Sequence, residues 1–513
     1  MELKVKLLGI ESGKPTAVMD NEYAGLLGLH PSDRIVITYR EKSALAIVNV
    51  AETFPSKTLG LYDEVQSMLD IRSGELVHVR PAERPESLGY IRDKIMGHRL
   101  RASEMKQIIK DVVERHLSDI ELAAFVTALN IWGMSIDEAE ALSRAMVSTG
   151  KTIRWDNGPI LDKHSIGGVP GDKTTLLVVP IVAAAGFTIP KTSSRAITSP
   201  AGTADRVEVL CPVSLDMEEI KRVVNETNAC LAWGGALDLA PADDLFIQVE
   251  YPLSIDPLLF PSIISKKKAI GAEYVVIDIP IGRGAKMKTV AEAQSSARDF
   301  IELGKRLRMH VQCAITFGEQ PVGLAVGPAL EAREALLALK GNGPFDLVNK
   351  ATELAGILLD MMGVNDGKVT AQTLLESGKA DSKFREIIAA QGGNPEVAPE
   401  DIKLGDKTTQ IVSDIDSRVM WINNMAVAQI ARAAGAPKEK GAGILSSVKL
   451  GDRVKKGDSL LTIYSATNSK LEAALALAEQ LEPMGLSKRY GEKMLLGRVP
   501  TKIPYEKVFV LER

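Results

Sequence analysis

LDKHSIGGVPGDKTTLLVVPIVAAAGFTIPKTSSRAITSPAGTADRVEVL, residues 161–210, gathers small, hydroxyl and cationic side chains around glycine-rich turns. An apolar lead-in ends at Lys163, His164 and Ser165. Gly167, Gly168 and Gly171 then let the backbone turn sharply and bring its N–H groups close to an anion. The following run, 172–185, reads as a helix whose positive N-terminal end faces that loop. Strand-like and helical segments go on alternating from Ile153 to about Lys350, the pattern of an α/β lobe that binds ligands at the carboxyl ends of its strands.

Outward from this segment the chain reads as an α/β multidomain protein. The expected units are an N-terminal β-barrel-like domain at 1–85, a helical lobe at 86–150 plus about 240–269, a central α/β lobe with a mixed sheet at 151–239 plus about 270–400, and a C-terminal α+β domain at 401–513. Within the first unit, residues 21–40 and 63–82 align at an offset of 42 (63 against 21): Leu27 and Leu29 match Leu69 and Ile71, Asp33 matches Glu75, and Ile35 and Ile37 match Val77 and Val79. Two such copies suggest a small pseudo-symmetric barrel, similar to a double-psi barrel. From 103 to 150 the period becomes helical. SDIE (118–121) and SIDE (135–138) are capping boxes, and Gly133 and Gly150 stand where C′ glycines stop helices.

Composition narrows the function. A chain of 513 residues, 45% hydrophobic and with a net charge of −4, has the makings of folded cores and no electrostatic signature of nucleic acid binding. Cys211, Cys230 and Cys313 are too few and scattered for a disulfide framework or a zinc site, which fits a reducing cytoplasm. Charge interrupts the apolar residues of MELKVKLLGIESG, so it is no signal peptide, and no apolar run is long enough for a membrane span. GGVPGDKT (167–174) nearly satisfies the P-loop pattern, but Asp172 occupies the place of the second glycine and would oppose a polyphosphate. The hairpin at 442–465 is similar to lipoyl and biotinyl carriers without their modified lysine, and reads as structural. No dinucleotide fingerprint or metal-spaced cluster is evident, so neither metal nor organic cofactor is expected.

Several phrases together, the run 118–150, KHSxGG (163–168), SSR (193–195) through Gly202 and Thr203, LAPAD (239–243) and SxxSKK (262–267), resemble the thymidine/pyrimidine nucleoside phosphorylase family. The additional N-terminal domain is similar to that of the family's archaeal branch acting on AMP. The resemblance implies AMP and inorganic phosphate as ligands, with free base and ribose 1,5-bisphosphate as products. It implies a phosphate cradle of Lys163, Ser165, Thr175 and Ser193. Gly168, the stretch Ser194, Arg195, Ala196, Ile197, Thr198 and Ser199, then Thr203, Ser262, Lys266 and Lys286 are implied around the nucleotide. It also implies a homo-oligomer built on a dimer through the helical lobe.

The residues themselves agree with this chemistry. Phosphorolysis needs one set of groups to hold phosphate beneath C1′ and a second to neutralise charge on the departing base. Ser262 and Lys266 are one helical turn apart and can face the same way. Asp256 is flanked by Ile255, Pro257, Leu258, Leu259 and Phe260, apolar surroundings that suit a carboxylic acid protonating a base, at N7 of a purine. In the pyrimidine enzymes an arginine follows the LAPAD phrase; here 247–251 has none and offers Glu250, an acceptor suited to an exocyclic amine. SRAITS (194–199) replaces a glycine-rich stretch and suits a further phosphate, with Lys286 in GRGAK (282–286) within reach. His164 reads as a positioning group, since phosphate needs no base. Lobe closure near 150–153 and 270 is expected to assemble the site. A nucleoside phosphorylase, a phosphoribosyltransferase and a nucleotide-sensing protein stay open as alternatives.

Overall fold

The computed structural model describes residues 1–156, 158–197 and 199–487. At the N-terminus the strands Glu2–Leu7, Thr58–Leu61, Thr16–Asp20, Lys42–Ala51, Arg34–Tyr39 and Leu76–Pro81 close, in that order, into a barrel. The repeat is built into it. Helix Asn21–Leu26 recurs as Asp63–Leu69 and strand Arg34–Tyr39 as Leu76–Pro81, each shifted by 42 (63 against 21, 76 against 34). Even the turns repeat: Asp33 accepts from the His30 amide at 2.7 Å and Glu75 from the Arg72 amide at 2.9 Å. Ile35, Ile37, Val77 and Val79 alternate into the barrel core, as the strand period requires.

The barrel rests on the helical bundle through Lys14, 2.7 Å from Asp119, and Arg34, which pairs with Glu121 and donates to the His116 carbonyl at 2.6 Å. Both expected capping boxes form: Ser118 and Ser135 cap helices Asp119–Trp132 and Ile136–Thr149, with Glu121 and Glu138 reaching back to the capping amides. Gly133 has the left-handed φ of a C′ residue, 67°. Gly150 differs, because its backbone is extended, with φ −103°. A Cβ there would stand 2.2 Å from the Leu239 carbonyl oxygen, so close chain approach rather than a helix stop demands this glycine. Helix Pro241–Leu253 buries Ala242, Leu245 and Phe246 among the bundle's Phe125, Leu129 and Leu142.

In the central lobe, strands His310–Phe317, Tyr274–Ile281 and Leu161–Ser165 form one parallel sheet. A parallel bridge from Ile160 to Thr188 extends it to the parallel pair Ile189–Ser193 and Ala229–Trp233. The sheet expected to be mixed is thus parallel throughout. Helices separate its strands in sequence, and such crossovers return the chain in the same direction. The antiparallel pairing lies elsewhere, where Ala325–Val326 joins the C-terminal strand Gly443–Ser446. Val275, Val276, Ile277 and Ile279 are fully buried, as a strand covered on both faces requires. The helix expected at 172–185 begins at Thr175 and runs to Ala184. Helix Leu259–Ala269 lies at the junction of the lobes: Ile263, Ile264 and Ala269 pack in the cluster that holds Val275 and Ile277.

The C-terminal region combines a four-stranded and a three-stranded sheet with helices Asn424–Ala433 and Asn468–Leu481. Its hairpin is structural: Lys449 is drawn inward to Asp346 at 2.6 Å and the Pro321 carbonyl at 2.8 Å. Among the described residues no helix is long and apolar enough to cross a membrane.

Candidate active site

The candidate site is built where the parallel strands end. Lys163 lies near the carboxyl end of strand Leu161–Ser165, and its buried Nζ donates to Thr174 Oγ1 at 2.9 Å. Burial pulls this ammonium below the ordinary lysine range, with Asp172 and Asp278 opposing the shift. Ser165 ends the same strand, and its enclosed Oγ has no hydrogen-bond partner among the described residues. Thr175 opens helix Thr175–Ala184, Ser193 ends its strand with Oγ 3.4 Å from the Ala232 carbonyl, and Thr203 opens helix Thr203–Val207. Arg206 ties two of these pieces together by donating to the Asp172 carbonyl and, at 3.5 Å, to Thr203 Oγ1. Hydroxyls, an ammonium and helix N-termini therefore gather at one sheet end, an arrangement suited to an oxyanion.

Beneath them is an ionic network that sequence reading missed. Lys350 bridges Asp172 at 3.1 Å and Asp278 at 2.8 Å, while Thr174 and Thr316 donate to the same acids at 2.5 and 2.6 Å. The two acids hold Lys350 above the ordinary lysine range despite its burial. Asp278 was detectable as a lone acid in the apolar strand YVVIDIPI; Lys350, distant in sequence, carried no such signal. Lys173, at the lysine position of the near P-loop, is fully buried against Glu334 and donates to the Val322 and Ala325 carbonyls at 2.9 and 3.0 Å. It cannot reach a phosphate, which removes the P-loop reading.

A second network orders the base of the site. Asp162 pairs with Lys267 at 2.7 Å and Lys191 at 3.4 Å. Burial lowers Lys191 to about 7. Burial and the positive field of Lys267, Lys191 and Lys163 push His164 well below the usual histidine range.

The residues expected around the nucleotide lie on several separate elements. Gly168 has φ 92°, and a Cβ there would lie 2.7 Å from the Lys286 amide nitrogen, so the two anion loops touch through this glycine. Lys286 reaches across to pair with Asp256. Asp256 itself is not in the dry pocket expected from its neighbours: Leu258 is buried and Ile255 packs on the bundle, while the Asp256 side chain is 39% exposed. The carboxyl that burial does raise, to about 7, is Glu250, with Asp256 and Asp243 adding to the shift. Its Oε1 accepts from the Leu258 amide at 3.3 Å. Ser262 is half-buried on helix Leu259–Ala269, and Lys266, one turn on, pairs with buried Asp243.

In the 194–199 stretch, Ser194 accepts at its carbonyl from Ala204 at 3.3 Å, the Ala196 amide donates to Asp205 at 2.7 Å, Ile197 is exposed, and Ser199 Oγ is 3.3 Å from the Ala201 carbonyl. Thr198 lies outside the described residues. The Arg195 guanidinium, expected at an anion, is instead bidentate to Glu208 at 2.8 and 2.5 Å and stacked on Trp233. Asp111, Glu114 and His116 gather at metal-ligand spacing in the helical bundle, yet His116 is already paired with both acids.

Residues 88–150 match the helical bundle domain of the glycosyl transferase family, 157–381 match its a/b domain, and 419–482 match the pyrimidine nucleoside phosphorylase C-terminal domain. Among curated proteins, the chain is 50% identical to an AMP phosphorylase of Thermofilum pendens, covering 100% of both chains. It is 52% identical to that of Thermococcus kodakarensis (97% of this chain, 99% of the relative) and 50% to that of Methanocaldococcus jannaschii (97% and 99%). Among solved structures, anthranilate phosphoribosyltransferase from Thermus thermophilus superposes with a TM-score of 0.51 at 19% identity, over 59% of this chain and 98% of that one, a likeness of fold. The chain belongs to the thymidine/pyrimidine nucleoside phosphorylase family, in the group that contains these AMP phosphorylases.

Proposed function

We propose that this protein catalyses the phosphorolysis of AMP by inorganic phosphate, giving adenine and ribose 1,5-bisphosphate. The observation that carries the reading is a cationic, hydroxyl-lined strand end joined through the Lys286 loop to the Asp256 carboxyl, in a chain half identical over its full length to proteins named AMP phosphorylase. In this reading inorganic phosphate rests on Lys163, Ser165, Thr175 and Ser193. Gly168, Ser194, Ala196, Ile197, Ser199, Thr203 and Lys286 surround the nucleotide and its 5′-phosphate, Arg195 supports this stretch through Glu208, and Ser262 and Lys266 face the base. The unpartnered Ser165 hydroxyl supports the phosphate assignment, since a buried donor left alone is costly.

The reaction then follows from charge. As the bond from C1′ to N9 stretches, positive charge on the sugar is met by the phosphate held below it, and negative charge on the base is met by a proton from Asp256 to N7. The new bond joins C1′ to a phosphate oxygen. The phosphate gives up its own proton on becoming an ester, which balances the proton gained by adenine. Both reacting charges are handled by the cradle and one acid, so the reaction as written calls on no metal or organic cofactor.

The same reading includes coarser proposals. The lobes divide at the boundaries given above, and the parallel pairs of the repeat support a double-psi barrel. The protein works in the cytoplasm as a homo-oligomer based on a dimer, a proposal supported by exposed Met96, Ile131 and Trp132 on the bundle. The test of function compares AMP, CMP, UMP and their nucleosides. Base release from AMP is expected to depend strictly on added phosphate, and Asp256→Asn is expected to lower turnover by about a hundredfold or more. Equal turnover of adenosine and AMP would make this a nucleoside phosphorylase, and full turnover by Asp256→Asn would remove the acid.

A further inference from the structure

Asp256 and Lys286 come from opposite lobes. Asp256 lies in the turn between helices Pro241–Leu253 and Leu259–Ala269, and Lys286 in the loop after strand Tyr274–Ile281. Their side chains are 39% and 40% exposed, so each stays open to an incoming ligand. Among the described residues Lys286 is the one cation within ion-pair distance of Asp256. Around this turn Asp243 pairs with Lys266, and buried Glu250 accepts from the Leu258 amide while lying within the fields of both Asp256 and Lys286. The Lys286 backbone is fixed against Gly168, which leaves its flexible side chain as the part able to swing.

This pair conflicts with the chemistry. A carboxyl held by an ammonium is occupied by that partner, whereas the acid of this reaction must be free to face the base. A 5′-phosphate dianion offers Lys286 a more strongly charged partner than a single carboxylate. We propose that the substrate's 5′-phosphate takes Lys286 from Asp256 and thereby frees the Asp256 carboxyl to serve the base. The proposal rests on the function proposed above. The proton enters Asp256 from solvent as its cation leaves, passes to the base as the glycosidic bond breaks, and is balanced by the proton that phosphate releases. Lys286 is then both a clamp for the nucleotide and a lock on the acid, and selectivity for a monophosphate over a nucleoside is expressed in kcat.

The experiment measures phosphate-dependent adenine release from AMP and from adenosine by the wild type, K286M and K286R. Methionine at this exposed position keeps the length of the side chain without its charge, and a thermal melt checks folding. K286M is expected to lower kcat/KM for AMP by about a hundredfold and to raise kcat for adenosine severalfold, because the acid is no longer locked. K286R is expected to return both toward the wild type. Equal losses on both substrates, or an unchanged adenosine kcat, would overturn the lock while leaving AMP phosphorolysis intact. A wild type that releases no adenine from AMP would overturn the functional reading, and the lock with it.

Discussion

Replacing Lys350 by methionine probes the foundation of the proposed phosphate cradle. Lys350 is 8% exposed and neutralises two acids, Asp278 at 2.8 Å and Asp172 at 3.1 Å, whose side chains are 0% and 12% exposed. Methionine fills much the same volume, so the loss is chiefly one of charge. Removing one partner of a buried ion pair costs about 3–5 kcal/mol. Thr174 and Thr316 keep one oxygen of each acid bonded and Lys163 stays nearby, which places the expectation near the lower end, about 3 kcal/mol. Lys163 would then face two carboxylates without their bridge, and phosphate would meet a weaker positive field; KM for phosphate should rise at least about tenfold. Guanidinium denaturation and steady-state kinetics read the two effects. Asp278→Asn in the Lys350→Met background should recover part of the stability, since it removes one stranded charge. A Lys350→Met protein within about 1 kcal/mol of the wild type, with an unchanged KM for phosphate, would show that Lys350 does not sustain the site.

Two further perturbations follow from the geometry. The folded state raises Glu250 from 4.5 to about 7, so between those values the folded chain holds a proton that the unfolded chain has lost, and stability falls as pH rises through this window. Glu250→Gln should therefore match the wild type's stability more nearly at about pH 5 than at about pH 8, where it should be the more stable by an amount on the order of 3 kcal/mol; a difference that does not change with pH would contradict this. Arg432, on the C-terminal helix Asn424–Ala433, donates to the Ile197 carbonyl at 3.2 Å, and the other end of that helix holds the Lys286 loop, Asn424 Nδ2 donating to the Gly318 carbonyl at 2.7 Å and to that of Arg283 at 3.4 Å. Arg432→Ala should raise KM for AMP about fivefold and leave KM for phosphate unchanged, while equal shifts in both would assign Arg432 a general structural role.

What the sequence made legible was mostly local. The barrel repeat shows because inward residues must alternate and both turns need an acid at the same place, Asp33 and Glu75. The caps at Ser118 and Ser135 show because they depend on residues three apart. The glycine loop and the hydroxyls at the strand ends follow from one continuous segment. The ionic network was hidden because its members meet only in the fold: Lys350 and Asp172 are 178 residues apart. Gly150 was visible as a glycine, but the Leu239 carbonyl that requires it was not. Asp256 was misjudged for a related reason. Apolar neighbours in sequence do not surround a side chain when the turn sends them inward and the carboxyl outward to Lys286.

In the proposed reaction phosphate, and not water, takes the ribosyl group of AMP. Incubation with AMP and isotopically labelled inorganic phosphate tests it most directly. For each adenine released, one labelled phosphate is expected at C1 of the sugar, as ribose 1,5-bisphosphate. Adenine released with ribose 5-phosphate, all of the label remaining in inorganic phosphate, would contradict it.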